Sequence, residues 1–260
     1  MVSTFIVHMS FSSKPFFSII TPVKNGSTYF HSFFTAVRNQ TFTNFEILFI
    51  DDDSCDDSFA LLEEYVKTDI RFRLFKTSSF YDCFADSSVM ETKGPWFPRN
   101  IGLNNAKGSY LLFWDIDDFW ESSFLQEYHI YIVQNQHILL FSSLYFHRFS
   151  GTSMLSKLRF QWPLLLPHLM SGFINPFPML CTCLRNDVLG NTRFQPIKHE
   201  DYIFWLSILD KLPSSSIGFC QSCSSFYRVS PGSVSSDKKR SILWLTKCYK
   251  IRGYSRLTIP

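Results

Sequence analysis

The chain of 260 residues is 45% hydrophobic and 18% charged, an ordinary globular composition with length enough for a substantial core, while 29 Phe predict that this core is rich in aromatic rings. A formal charge of +3, gathered in a tail that holds Lys238, Lys239, Arg240, Lys247, Lys250, Arg252 and Arg256, comes with no nucleic-acid-binding module and argues against a nucleic-acid partner. No stretch reaches the roughly 18 apolar residues that span a bilayer, and seven scattered Cys, an odd number, read as reduced cytosolic thiols rather than a disulfide framework.

Residues 1–15 read as a flexible leader without the basic start and cleavage site of a signal peptide. Residues 16–20 predict a first buried strand, stopped by Thr21-Pro22-Val23-Lys24-Asn25-Gly26, because Pro and Gly both interrupt a strand. Ser27 is placed to cap a helix over 28–38, whose Phe30, Phe33, Phe34 and Val37 recur at helical spacing. Residues 45–50 predict a second strand ending in Asp51-Asp52-Asp53-Ser54, and a β-α-β unit this short makes the two strands parallel. A helix from Asp57 or Ser58 through Leu61, Leu62 and Tyr65 and a strand at 72–75 follow; 77–95 has no clear period. Pro98 suits the first turn of a third helix that carries Arg99 and Asn100, buries Ile101 and Leu103 and ends near Gly108.

The run 110–114 is apolar throughout, the pattern of a strand buried on both faces, and it breaks into three carboxylates, Asp115, Asp117 and Asp118. Ligands of open α/β sheets sit at such strand ends. Like charges this close repel unless a cation compensates, and hard oxygen donors favour Mg²⁺ or Mn²⁺. By itself the cluster reads more readily as an acidic turn that caps the next helix. Beyond it, 122–134 predicts a helix capped by Ser122, 137–146 one long apolar strand, 148–162 a pair of short strands or an irregular loop, 162–177 a mixed segment, and 179–185 a strand. His199-Glu200-Asp201-Tyr202 opens a helix through Trp205, Leu206 and Leu209, where complementarity to the helix dipole alone would account for both carboxylates. A closing strand holds Phe226-Tyr227-Arg228, and 236–260 form the basic tail.

The succession Ser18-Ile-Ile-Thr-Pro-Val-Lys-Asn25, Asn39-Gln40-Thr41, 45–54, Arg99-Asn-Ile-Gly-Leu103, Ala106-Lys-Gly108 and Asp115-Ile-Asp-Asp118 resembles the GT-A fold glycosyltransferases of the family 2 type, in order and at usual distances from about residue 16 to 120. The resemblance implies an α/β fold, a GT-A (Rossmann-like) mostly parallel central sheet flanked by helices with a smaller acceptor-side part. It implies one domain over 16–235, with the nucleotide-sugar half at 16–120 and the acceptor half at 121–235. The implied activity is inverting transfer from a nucleoside-diphosphate sugar, a UDP-sugar foremost, to a glycan or lipid-linked acceptor hydroxyl. The implied setting is the cytoplasm at the inner face of the membrane, with the basic tail as a peripheral contact.

The resemblance also distributes roles. Thr21, Pro22, Val23 and Asn25 line the nucleotide, Asp52 accepts from its base, and Arg99 stands close to it. Asp115 supports the site, Asp117 serves ribose or metal, and Asp118 the metal, Mn²⁺ or Mg²⁺. Asp201 is the implied general base, with Glu200 orienting it or binding acceptor; Arg228 meets the diphosphate and Trp120 stacks on the acceptor sugar. Each has a plainer reading: a surface helix residue for Arg99, a turn former for Asp52, a structural arginine for Arg228, a core ring for Trp120. Two departures stand out, Lys93-Gly-Pro-Trp-Phe-Pro98 ahead of Arg99, and Asp53 where the family has Gly, a position at which Asp tolerates positive φ. The alternative readings are a nucleotide- or glycan-binding member without catalysis, against which the intact carboxylates count, and a nucleotidyltransferase, whose Gly-rich basic loop 21–27 lacks.

Overall fold

Strand β1 (Phe17–Val23) is an inner strand in the computed structural model, which describes residues 14–83, 94–149, 152–155, 175, 177–197, 199–221 and 224–228. It runs parallel to β2 (Phe45–Asp51), which pairs in parallel with β3 (Phe72–Lys76), and on its other side parallel to β4 (Tyr110–Phe113). After the short β5 (Phe119–Trp120) the chain adds β6 (Leu140–Ser143), β7 (Phe146–Phe149), β8 (Thr152–Leu155), β9 (Thr182–Arg185), β10 (Ile217–Cys220) and β11 (Ser225–Arg228). Seven strands form the main sheet in the order β10-β6-β9-β4-β1-β2-β3, with β9 antiparallel to both neighbours; four form a second sheet, β5-β11-β7-β8.

Period-two side chains on the central strands feed two separate cores. Phe17, Ile19 and Val23 of β1, Ile47 and Phe49 of β2 and Leu112 of β4 pack with α1 (Phe30–Arg38), α2 (Ser58–Val66) and α4 (Phe124–Gln134). Ile20, Leu48, Ile50, Leu111 and Phe113 pack on the other face with α3 (Trp96–Asn105) and α5 (Glu200–Leu209). The abundance of Phe is absorbed as ring contacts such as Phe34 stacked on Tyr65 at 3.6 Å. No helix among the described residues is long and apolar enough to cross a membrane.

Three sequence expectations are corrected. Thr21, Pro22 and Val23 lie within β1 and not in a loop: β4 pairs with β1 only as far as Ile20, so Pro22, which faces that side, has no ladder donor to supply there. Ser27 does not cap α1; a 3₁₀ turn at Ser27–Tyr29 precedes the helix, and the Ser27 hydroxyl donates to Asp56 at 2.7 Å. The apolar run 137–146 is two strands in two different sheets, β6 and β7, because hydrophobicity alone cannot mark the corner between them. The leader up to residue 13, most of 162–177 and the tail lie outside the described residues.

Gly108, in the turn before β4, is required by a close approach: a Cβ there would lie 2.4 Å from the backbone nitrogen of Ser18 and 2.7 Å from the carbonyl carbon of Phe17. Neither backbone atom can yield as a side-chain tip can. Gly108→Ala is therefore expected to cost about 2–3 kcal/mol, by the magnitude of core overpacking. A urea midpoint equal to wild type would refute this.

Candidate active site

The three carboxylates after β4 are gathered by a tight turn in which the Asp118 amide donates to the Asp115 carbonyl at 3.0 Å. Beneath it, Trp114 donates its ring N–H to the Asp118 carbonyl at 3.3 Å. Continuing the antiparallel β5–β11 register beyond Phe226↔Phe119 sets Arg228 against Asp117, and two bonds follow from this. The Arg228 amide donates to Asp118 Oδ1 at 2.9 Å, and its Nε donates to the Asp117 carbonyl at 2.7 Å, with the guanidinium 5.1 Å from the Tyr29 ring. Burial, then Asp115 and Asp117, push the Asp118 carboxyl well above the usual carboxylate range; burial, then Asp115, raise Asp117 as well.

A divalent cation fits this donor set, because it would relieve crowded negative charge held by hard oxygens. Among the described residues no three His, Cys, Asp or Glu side chains form a ready-made metal cluster. Asp117 and Asp118 could hold such an ion.

Arg99 links this turn to α5. Pro98 and the first turn of α3 aim the arginine inward, where its side chain is 5% exposed; its NH1 donates to Glu200 Oε1 at 2.9 Å and its NH2 to the Asp115 carboxylate at 3.2 and 3.3 Å. The guanidinium lies 5.7 Å from the Phe194 ring, and Asn100 next door clasps the Phe194 backbone, donating to its carbonyl at 2.9 Å and accepting from its amide at 2.8 Å. Burial raises the Glu200 carboxyl above its ordinary value, opposed by Arg99 and reinforced by Asp201 and Asp115. His199, just before, adopts φ 57°, a left-handed conformation that costs a non-glycine residue roughly 1 kcal/mol or more. Asp201 Oδ2 accepts from Asn175 at 2.7 Å.

The loops after β1 and β2 form a clipped ledge on the same edge of the sheet. Asn25 accepts from the Cys55 amide at 2.8 Å and its own amide donates to Ser54 at 3.0 Å; the Gly26 amide donates to Ser58 at 2.8 Å. Asn25 and Asp53 both have positive φ, 52° and 51°, so Asp does occupy the position where the resemblance expects Gly for that reason. Asp51 is wholly buried and accepts from the Ser54 amide, whereas Asp52 emerges on the opposite face of the pleat, toward α3. Its carboxylate meets Lys24 at 3.2 Å, and burial raises its pKa against the pull of that lysine. Thr21 and Val23 are buried and Pro22 is half-buried.

Trp120 corrects an expectation. It is wholly buried, its ring stacked on Trp114 at 4.1 Å and on Phe124 at 4.0 Å, with Nε1 donating to the Leu180 carbonyl at 3.0 Å, so no ring face is left for an acceptor sugar. The structure thus brings together Arg99, Asp115, Asp117, Asp118, Glu200 and Arg228, places Asp201 beside Glu200 at the start of α5, and leaves Trp120 in the core. Sequence reasoning missed Asn175, which sits in a stretch with no periodic pattern or motif.

The family model described as "Glycosyl transferase family 2" matches residues 18–79. A Haemophilus influenzae protein described as an uncharacterized glycosyltransferase is 31% identical over 237 residues, 91% of this chain and 88% of its own. The Escherichia coli UDP-Glc:alpha-D-GlcNAc-diphosphoundecaprenol beta-1,3-glucosyltransferase WfgD is 28% identical over 229 residues, 86% of this chain and 81% of its own. Among solved structures, S. aureus TarS 1-349 in complex with UDP-GlcNAc superposes with a TM-score of 0.66 at 20% identity, over 85% of this chain but 61% of that one. Glucosyl-3-phosphoglycerate synthase from Mycobacterium tuberculosis, in complex with Mn²⁺, UDP-Glc and phosphoglyceric acid, gives a TM-score of 0.60 at 14% identity over 92% of this chain and 81% of that one. Likeness at these identities establishes the fold, GT-A.

Removing the Arg99 charge leaves Glu200 and Asp115 facing each other. Breaking a buried pair costs about 3–5 kcal/mol; because the Asp115 side chain is 37% exposed, Arg99→Met is expected near the lower end, about 3 kcal/mol at pH 7. Without Arg99, Glu200 loses the group that holds its pKa down. A carboxyl with a raised folded pKa destabilises the native state when ionised, so the variant's deficit should shrink as pH falls below that pKa toward the ordinary Glu value. Urea unfolding across pH checks both; a deficit that grows on acidification would refute the assignment.

Proposed function

The chain belongs to glycosyl transferase family 2, and on that premise we propose that it moves a sugar from a UDP-sugar to a hydroxyl of a glycan or lipid-linked acceptor, with inversion at the anomeric carbon. The observation that carries this reading is the Arg99 bridge, which joins the carboxylates after β4 to the Glu200-Asp201 pair on α5. A donor site and an acceptor-activating site are thereby parts of one hydrogen-bonded unit. Single displacement needs both held at one carbon, because attack and departure occur on its opposite faces.

In this reading Asp52, with Lys24 beside it, receives the base of the nucleotide, and Pro22, Val23 and Asn25 belong to the ledge that supports it. Thr21 underlies that ledge. Arg228 and the Asp117-Asp118 turn face the diphosphate. A bound Mn²⁺ or Mg²⁺ would offset the negative charge that develops on the leaving diphosphate. Asp201 takes the proton of the acceptor hydroxyl as its oxygen bonds to the anomeric carbon and the bond to the diphosphate breaks; Glu200, tied to Arg99, keeps its neighbour in place. Support for UDP and for a lipid-linked acceptor comes from the name of the E. coli relative, and support for the metal from the Mn²⁺ in the mycobacterial structure. Such an acceptor favours a working position at the cytoplasmic face of a membrane, with residues 16–235 as the catalytic domain and the basic tail as a surface contact.

Thermal unfolding with UDP, GDP, CDP and ADP, each with and without Mn²⁺, tests the donor class. A ligand at about a hundred times its dissociation constant adds about 2.7 kcal/mol to the native state. UDP is expected to stabilise the wild type with Mn²⁺ and far less without it, and Asp118→Asn to erase the metal-dependent part. Equal stabilisation of wild type and variant would remove the metal assignment, and stabilisation by GDP alone would remove UDP.

A further inference from the structure

We propose that Asn175 is a positioning residue for Asp201, holding one carboxylate oxygen so that the other faces the acceptor hydroxyl; this rests on the reading of Asp201 as the base. Asn175 belongs to none of the sequence motifs. Its Nδ2 donates to Asp201 Oδ2 at 2.7 Å, and its Oδ1 accepts from the Phe177 amide at 3.1 Å.

The second bond is an Asx turn, in which the side chain holds its own backbone two residues on. It also orients the amide. With Oδ1 committed to a backbone N–H, only Nδ2 is left to meet the carboxylate, and the reverse arrangement would set an oxygen against an oxygen. The turn is itself anchored. Phe177 is 2% exposed and its ring lies 6.1 Å from that of Trp205, one helical turn beyond Asp201 on α5. The segment therefore meets α5 at two points a turn apart, polar at Asp201 and aromatic at Trp205. Behind it, the Pro178 carbonyl accepts from the Cys181 amide at 3.2 Å and the Thr182 hydroxyl at 2.6 Å, which ties the segment to β9 of the main sheet.

Among the described residues, Asn175 supplies the one side chain that hydrogen-bonds the Asp201 carboxylate. A single anchored oxygen limits rotation of the carboxylate and leaves Oδ1 available as proton acceptor. Glu200 is arranged the other way, with Oε1 held by the charged Arg99, which suits it to tethering rather than to proton transfer.

The test uses the full chain with UDP-glucose, Mn²⁺ and an α-GlcNAc-diphospholipid acceptor, and water alone as a second acceptor, with UDP release as readout. Asn175→Asp retains the Oδ1 that caps the Phe177 amide but has no donor for Asp201; Asn175→Ala loses both. Both variants are expected to lower kcat roughly 10- to 100-fold, the scale of a misplaced reacting group, with the KM for UDP-glucose and the UDP-induced thermal shift unchanged. Asn175→Asp with wild-type kcat would overturn the inference, leaving the residue a turn former. Asp201→Asn serves as the control. If it is inactive while Asn175→Asp is not, the inference alone fails; if it retains turnover, the reading of Asp201 as base fails and the inference with it. A wild type that releases no UDP from UDP-glucose under either condition counts against the UDP-sugar donor on which the inference rests.

Discussion

A guanidinium buried as Arg99 is would cost several kcal/mol in lost hydration if it stood alone. It is tolerated because Asp115 and Glu200 supply two counter-charges, one 16 residues away in sequence and the other 101. Neither carboxylate would lie comfortably there without the arginine, so α3, the turn after β4 and the start of α5 have to be placed together. The geometry of the site follows from that requirement. Asn100, by clasping the Phe194 backbone, extends the same constraint to the segment that leads into α5. The Arg-Asn pair thus acts as a brace under the site more than as a contact pointing into it.

A second constraint comes from below. Trp114, Trp120, Phe124 and Tyr128 form a continuous column of rings with successive centroids 4.1, 4.0 and 4.2 Å apart, crossing from the end of β4 through β5 into α4. Two polar tips of this column end on neighbouring carbonyls: Trp120 Nε1 on Leu180 and the Tyr128 hydroxyl on Cys181 at 2.7 Å. The column supports the acidic turn, fixes β5 as the strand on which β11 pairs, and holds the approach to β9. Arg228 reaches Asp117 and Asp118 only because that pairing register is held.

Much of this was legible in the sequence where one rule acted alone. The β-α-β start, the buried strand that ends in carboxylates and the helix opened by Glu200 and Asp201 all stand near their predicted places, the first strand running three residues beyond its predicted end. Legibility failed where two environments look alike to a hydrophobicity pattern. Residues 137–146 are apolar in both sheets, so their division into β6 and β7 carries no local signal, and β10, four residues long, was not recognised at all. Trp120 next to an acidic cluster invited a sugar-stacking role, yet the alternation of β5 turns it inward onto Trp114. The pairing of Arg99 with Glu200 carried no local signal, because Glu200 lies a hundred positions on and a contact at that distance is set by the fold rather than by spacing.

The division between Glu200 and Asp201 illustrates how adjacent like residues acquire different chemistry. Both are carboxylates in the first turn of one helix, and the helix dipole favours both. Successive helical positions point about a hundred degrees apart, so one faces α3 and the other faces the segment before β9. The first meets a charge and is tied to it, since protonating it would strand Arg99. The second meets a neutral amide, which orients it without neutralising it. A carboxylate held in direction by a neutral partner is what proton abstraction from a hydroxyl calls for, and that difference in partner, not in side-chain type, assigns the base to Asp201 in the proposed mechanism.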